Sequence, residues 1–138
     1  MTSMIKWNDE KMSIGIASID AEHKKLLDLI NKIIESIEHN HQMNDIDKFI
    51  EAVFDYVEYH FKNEEQLFVK YNISESAVLK HQEDHQEFKN MANSLYYDIK
   101  ENKNAKSEHG IELVTKLYNF LINWLLHHIV VEDKKIFC

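Results

Sequence analysis

The residues of this chain best suited to chemistry are histidines and carboxylates set four apart. His60 precedes Glu64 by four positions, and His81 precedes His85 by four. On an α-helix such partners lie about 40° apart around the axis and roughly 6 Å along it, so both side chains can converge on one ion. His23 stands three residues before Leu26 and His128 three after Leu125, each on an otherwise apolar stripe. A lone histidine in such a place ordinarily reads as a core side chain satisfied by a hydrogen bond. Burying several imidazoles and a carboxylate together among Phe, Leu and Val costs several kcal/mol unless a cation partners them.

Imidazole with carboxylate suits iron, zinc, copper or nickel, whereas magnesium and calcium prefer shells made wholly of oxygen. The candidate ligands are too many for one tetrahedral zinc, and their number suits two ions joined by bridging carboxylates. On the last helix the spacing leaves the carboxylate open. Glu132 is four residues after His128, while Asp133 is five after it and about 140° round an ideal helix. Geometry alone favours Glu132, and Asp133 would serve if the helix loosened near its end.

The elements that must hold these groups are helices. The chain has no proline and two glycines, Gly15 and Gly110, which removes most of the punctuation that β-proteins need. After an irregular N-terminal arm containing Trp7, the segment from Asp20 to about His39 carries Leu26, Leu27, Ile30, Ile33, Ile34 and Ile37 at helical spacing. Asp45 is the candidate cap of a second helix, to about Tyr71, with Ile46, Ile50, Val53, Val57, His60, Phe61, Glu64 and Phe68 on one face. Ser74 caps a third, whose stripe takes in Val78, Leu79, His81, His85, Phe88, Met91, Ala92, Leu95 and Ile99. Ser107 caps a fourth, running from Ile111 through Leu117, Leu121 and Leu125 to His128. Short polar connections between them predict an all-α, up-down-up-down four-helix bundle, one domain over 1–138.

Composition narrows the function. A formal charge of −8 argues against nucleic acid, whose phosphates require a basic face. The lone Cys138 cannot form an internal disulfide, and no apolar run is long enough to span a bilayer, so the expectation is a soluble cytoplasmic protein.

The order of the motifs resembles the hemerythrin family in its bacterial single-domain form. The resemblance runs over nearly the whole chain: Trp7 in the arm, IDAEHKKLLDLIN around His23, HFKNEEQLF with His60 and Glu64, HQEDHQEF with His81 and His85, and WLLHHIVVEDKKIF with His128 and Asp133. It selects Asp133 over Glu132. It implies two non-haem iron ions joined by an oxo or hydroxo group, with His81, His85 and His128 on one, His23 and His60 on the other, and Glu64 and Asp133 bridging both. The iron of His23 and His60 would then keep one open position, where dioxygen binds reversibly. By the same resemblance Trp124, Leu125 and Ile129 line the oxygen pocket, although ordinary core packing explains these three equally well. The loop KYNIS lacks the proline that many relatives carry there.

The remaining histidines, His39, His41, His109 and His127, read as non-ligands. Glu38 with His41 spells the ExxH of ferritin-like di-iron proteins, but such a site needs that motif from two helices. The reading expected from the resemblance is an oxygen carrier, store or delivery protein, not an enzyme, serving an unknown oxygen-consuming recipient. The competing readings are a di-iron enzyme or scavenger acting on peroxide or nitric oxide, and an oxygen or iron sensor module.

Overall fold

A computed structural model describes residues 5–38, 43–102 and 108–137. Short α1 (Asp9–Met12) is followed by α2 (Ala17–Glu38), α3 (Met43–Lys70), α4 (Glu75–Glu101) and α5 (Glu108–His127), which runs on through a π-helical turn, His128–Asp133, into α6 (Lys134–Phe137). The chain is an all-α bundle.

Each long helix buries the stripe that its spacing announces. Leu26, Leu27, Ile30, Ile33 and Ile34 of α2 meet Ile46, Ile50, Val53, Val57 and Phe61 of α3, and Phe88, Ala92, Leu95 and Ile99 of α4 meet Val114, Leu117, Leu121 and Leu125 of α5 in the same core. Three residues assigned to the stripes are instead exposed: Leu79 (53%), Met91 (51%) and Ile111 (39%). The α4 core register runs His81, His85, Phe88, Ala92, Leu95, Ile99. Leu79 and Met91 stand two positions before His81 and one before Ala92, well off that phase.

The helix ends have local causes. At the start of α4 the Ser74 side chain accepts from the backbone N–H of Ala77. The cap expected at Asp45 is not one, because α3 already begins at Met43. Ser107 and the connection around His39 and His41 lie outside the described residues. The turn after α3 manages without proline. Asn72 takes φ 53°, its N–H reaches the Val69 carbonyl at 3.3 Å, and the Ile73 N–H reaches the Phe68 carbonyl at 3.0 Å. That is a Schellman closure with asparagine at its left-handed position.

The arm is less irregular than expected, since Asn8 caps the single turn of α1 and Gly15 at φ 82° redirects the chain into α2. It is fastened twice. Asp20 accepts from Ser13 Oγ at 2.5 Å and from the Ile14 N–H at 2.9 Å. The Asn31 amide pairs with both backbone groups of Ile5, donating to its carbonyl at 2.8 Å and accepting from its N–H at 3.3 Å.

One consequence of helix order decides where the chemistry sits. His23 comes six residues after the start of α2, His81 six after the start of α4, and Glu64 six before the end of α3. Alternating helix directions bring those three levels to one layer of the bundle, beside the end of α5.

Candidate metal centre

In that layer His23, His60, Glu64, His81, His85, His128 and Asp133 are all at most 4% exposed. Their ligand atoms form two overlapping groups. His23, His60, Glu64, His128 and Asp133 make one, and Glu64, His81, His85 and His128 the other, with donor atoms within 4.8 Å of one another in each.

Glu64 lies at the centre. One carboxylate oxygen faces His60 Nε2 and, at 2.8 Å, His128 Nε2, while the other stands 2.8 Å from His81 Nε2. Asp133 approaches His23 Nε2 at 2.9 Å, His128 Nε2 at 3.1 Å and His81 Nε2 at 3.2 Å. Each carboxylate therefore reaches imidazoles of both groups, the arrangement that bridging two ions requires.

The π-turn explains how Asp133 gets there. A turn closed by i→i+5 hydrogen bonds holds one residue more than an α-turn, which brings position i+5 back over position i. His128 and Asp133 are the first and last residues of that segment. Glu132, which ideal α geometry favours, instead turns outward to pair with His127 at 3.3 Å. The loosening is a defined helical turn and not a frayed end.

The polar atoms here lack ordinary partners. His23 Nδ1 and Nε2, His60 Nε2, both ring nitrogens of His85, Glu64 Oε2 and Asp133 Oδ2 are buried without hydrogen bonds, even where a carboxylate is close. Native interiors rarely leave such groups unmet, and cations between them would take one nitrogen of each imidazole together with the carboxylate oxygens. The donor set therefore fits a metal pair. His85 shows how tightly the pocket is built: its ring stacks on Phe61 at 3.4 Å and 4°, and His81 meets it edge-on at 4.0 Å.

Protons stand in where cations would sit. Burial pulls His60 and His128 down, but nearby carboxylates outweigh it. Glu64, with Glu22, raises His60 to about 9, and Asp133 with Glu64 raises His128 to about 10. Glu64 is held well below the usual carboxylate range, because His128 and His60 overcome its desolvation. His23, His81 and His85 lie below the usual imidazole value, chiefly through burial.

One participant escaped the sequence reading. Glu22, 8% exposed, accepts a 2.7 Å bond from His60 Nδ1 and a 2.8 Å bond from the Asn63 amide. With its proton on Nδ1, His60 presents Nε2 inward and is fixed in orientation, a common support for metal-bound imidazole. The signal was available, since Ile19, Glu22, Leu26, Leu29 and Ile33 are spaced three, four, three, four along α2. A carboxylate on the core phase needs a partner.

Of the three residues expected at an oxygen pocket, Leu125 is fully buried. Trp124 is partly exposed and lies parallel to the His128 ring at 4.6 Å, against Phe88 at 4.1 Å, while the side chain of Ile129 lies outside the described residues. His109 and His127 are exposed and apart from the cluster, whereas His39, His41 and Cys138 are not among the described residues. No helix among the described residues is long and apolar enough to cross a membrane.

Fold and site together define a helical bundle with a buried histidine and carboxylate metal centre. Residues 14–138 match the family described as the hemerythrin HHE cation binding domain. The chain belongs to the hemerythrin family. A bacteriohemerythrin of Clostridium acetobutylicum is 27% identical over 135 residues, covering 96% of this chain and 98% of its own. A bacteriohemerythrin of Methylococcus capsulatus is 25% identical over 134 residues, covering 96% and 93%. A hemerythrin-like protein of Naegleria gruberi is 29% identical over 133 residues, covering 96% and 91%. No solved structure matches the chain.

Proposed function

We propose that this protein holds two iron ions and binds dioxygen reversibly, as an oxygen carrier or store and not as an enzyme. The observation that supports it is the pair of buried ligand groups sharing Glu64 and His128, with orphaned nitrogen and oxygen atoms turned toward one another. His81, His85 and His128 would hold one ion, His23 and His60 the other, and Glu64 and Asp133 both. When bound, the pair supplies the electrons and the open coordination position that dioxygen needs.

The chain's own residues supply the rest. With three imidazoles for one ion and two for the other, the ion held by His23 and His60 would be the one with room for dioxygen. Imidazole-rich ligation favours a reversible couple over the carboxylate-rich shells of oxygen-activating centres. Glu22 keeps His60 oriented, and Leu125 contributes to the apolar wall that excludes water and anions from the site. His60 and His128 give up their protons as metal enters. The protein then serves oxygen within a reducing, cytoplasmic setting.

The test is an optical spectrum of the anaerobically reduced, iron-loaded protein before air, after air, and after the gas is removed. Charge-transfer bands that appear with air and vanish on deoxygenation are the expected result. A colourless protein or a stable ferric product would overturn the carrier reading, and turnover of peroxide or nitric oxide with a reductant would put an enzyme in its place.

A further inference from the structure

All seven candidate ligands are buried, so a reductant in solution can reach the centre only through a ligand side chain. His128 is one that touches the outside world indirectly. It borders a cleft of about 410 Å³ between α4 and α5, within the usual range for small-molecule sites. Trp124 lines the same cleft, and its ring lies 13° from parallel to the imidazole at 4.6 Å. Phe88 touches Trp124 at 4.1 Å and stacks on Phe120 at 5.7 Å, so the floor is a continuous aromatic surface. Met91, 51% exposed, adds a polarisable thioether at the edge, where an apolar residue has no core to join.

The rim has a charge. Asp84, Glu87 and Glu132 face Lys80 and His127, three carboxylates against one lysine and one imidazole. Lys80 lies 3.5 Å from Asp84 and Glu132 stands 3.3 Å from the His127 imidazole, so one lysine faces three carboxylates and Glu87 is the one that neither contact offsets. Planar cations are attracted to aromatic faces as well as to carboxylates. His81 borders a second cleft, of about 340 Å³, but there Lys80 and Lys135 outnumber the one carboxylate, Glu132.

We propose that the cleft over Trp124 seats a small planar aromatic cation that donates electrons, and that the stacked pair Trp124 and His128 carries them to the centre. A carrier whose irons have become ferric is useless until reduced, and this is where reduction would occur. Each donor loses one electron and leaves oxidised, and two such transfers return two ferric ions to the ferrous state. No bond forms or breaks in the cleft, and the accompanying proton comes from solvent. The electron step rests on the di-iron reading, whereas seating of the cation does not.

Methyl viologen is a suitable probe for both. On metal-free protein carrying Trp7→Phe, so that Trp124 alone reports, the oxidised dication should quench fluorescence saturably. Glu87→Lys should weaken that binding by about fivefold or more, as expected for reversing one nearby charge, and added salt should weaken it further. A planar anion, anthraquinone sulfonate, should not compete. On ferric iron-loaded protein, reduction by the viologen radical should saturate with concentration. Trp124→Leu should slow its limiting rate by about tenfold with iron content and far-ultraviolet circular dichroism preserved. Linear quenching, indifference to Glu87→Lys, or equal binding of the anion overturns the cation site. A reduction rate that never saturates and is unchanged in Trp124→Leu overturns the electron route.

Discussion

Glu22 offers the sharpest test of how the centre is supported. Glutamine at this position keeps the shape of the side chain and can still accept from His60 Nδ1, but it removes the charge from a 2.7 Å buried bond. A hydrogen bond to a charged group contributes about 1.5–3 kcal/mol against about 0.5–1.5 for a neutral one. The difference, roughly 1–1.5 kcal/mol, is about a tenfold loss of intrinsic affinity for metal at the His60 position. Alanine leaves the Nδ1–H unpaired in the interior and falls toward the hundredfold end of the range for such supporting partners.

Protons complicate the measurement in a useful way. Glu22 also helps raise His60 to about 9 in the metal-free protein, so near neutrality it strengthens the proton that competes with the metal. Removing the charge weakens both competitors. The affinity penalty of Glu22→Gln should therefore be small near about pH 7 and grow toward its full tenfold as the pH passes about 9. Competition between the protein and a chelator for cobalt(II), followed from about pH 6.5 to about pH 9.5, reads this directly. A penalty that stays constant across that range, or no penalty at its upper end, refutes the role assigned to Glu22.

Three further outcomes follow from the same structure. Asp133→Asn should abolish loading of a second metal equivalent, counted by metal analysis, while Glu132→Gln, whose partner is the exposed His127, should leave it intact. Asn72→Ala should lower the free energy of unfolding by about 1–2 kcal/mol and Asn72→Gly should be tolerated, because a φ of 53° is costly for a residue that has a Cβ and lacks asparagine's local polar contacts. For the metal-free protein, His60 and His128 are raised to about 9 and about 10, so their stabilisation is complete below about pH 6.5 and lost as pH rises through those values. His23, His81 and His85 are depressed, so stability also falls as pH drops below about 6.5. Metal in thousandfold excess over its dissociation constant should add about 4 kcal/mol to unfolding and flatten this profile.

The helices and most of the site were legible because burial and spacing are the same fact. His60, Glu64, His81 and His85 occupy positions where a Leu or Phe would keep the stripe unbroken, and the structure buries all four. Glu22 is equally visible in principle, since it occupies a core position of α2. Asp133 is different. A π-turn carries no proline, glycine or cap to announce it, and the run HIVVED reads as ordinary helix. Spacing pointed to Glu132, resemblance to Asp133, and only the backbone supplies the reason. Leu79 and Met91 were misplaced because apolar character was counted without its phase.

Charge gives a single account of why the site can fold before it is filled. Carboxylates buried alone, as Glu22, Glu64 and Asp133 would be, are prohibitive, and five neutral imidazoles cannot compensate them. The metal-free protein meets the difficulty by keeping protons on His60 and His128, the two histidines whose Nε2 atoms face Glu64 through the same oxygen. His60 then stands between the carboxylates of Glu22 and Glu64, and His128 between those of Glu64 and Asp133. Metal ions entering the site would displace those protons and take over their role. The orphaned nitrogens of His23 and His85 are what this arrangement leaves unmet. Protons on two histidines can offset the charge of the carboxylates, but a metal pair would also engage one nitrogen each of His23 and His85.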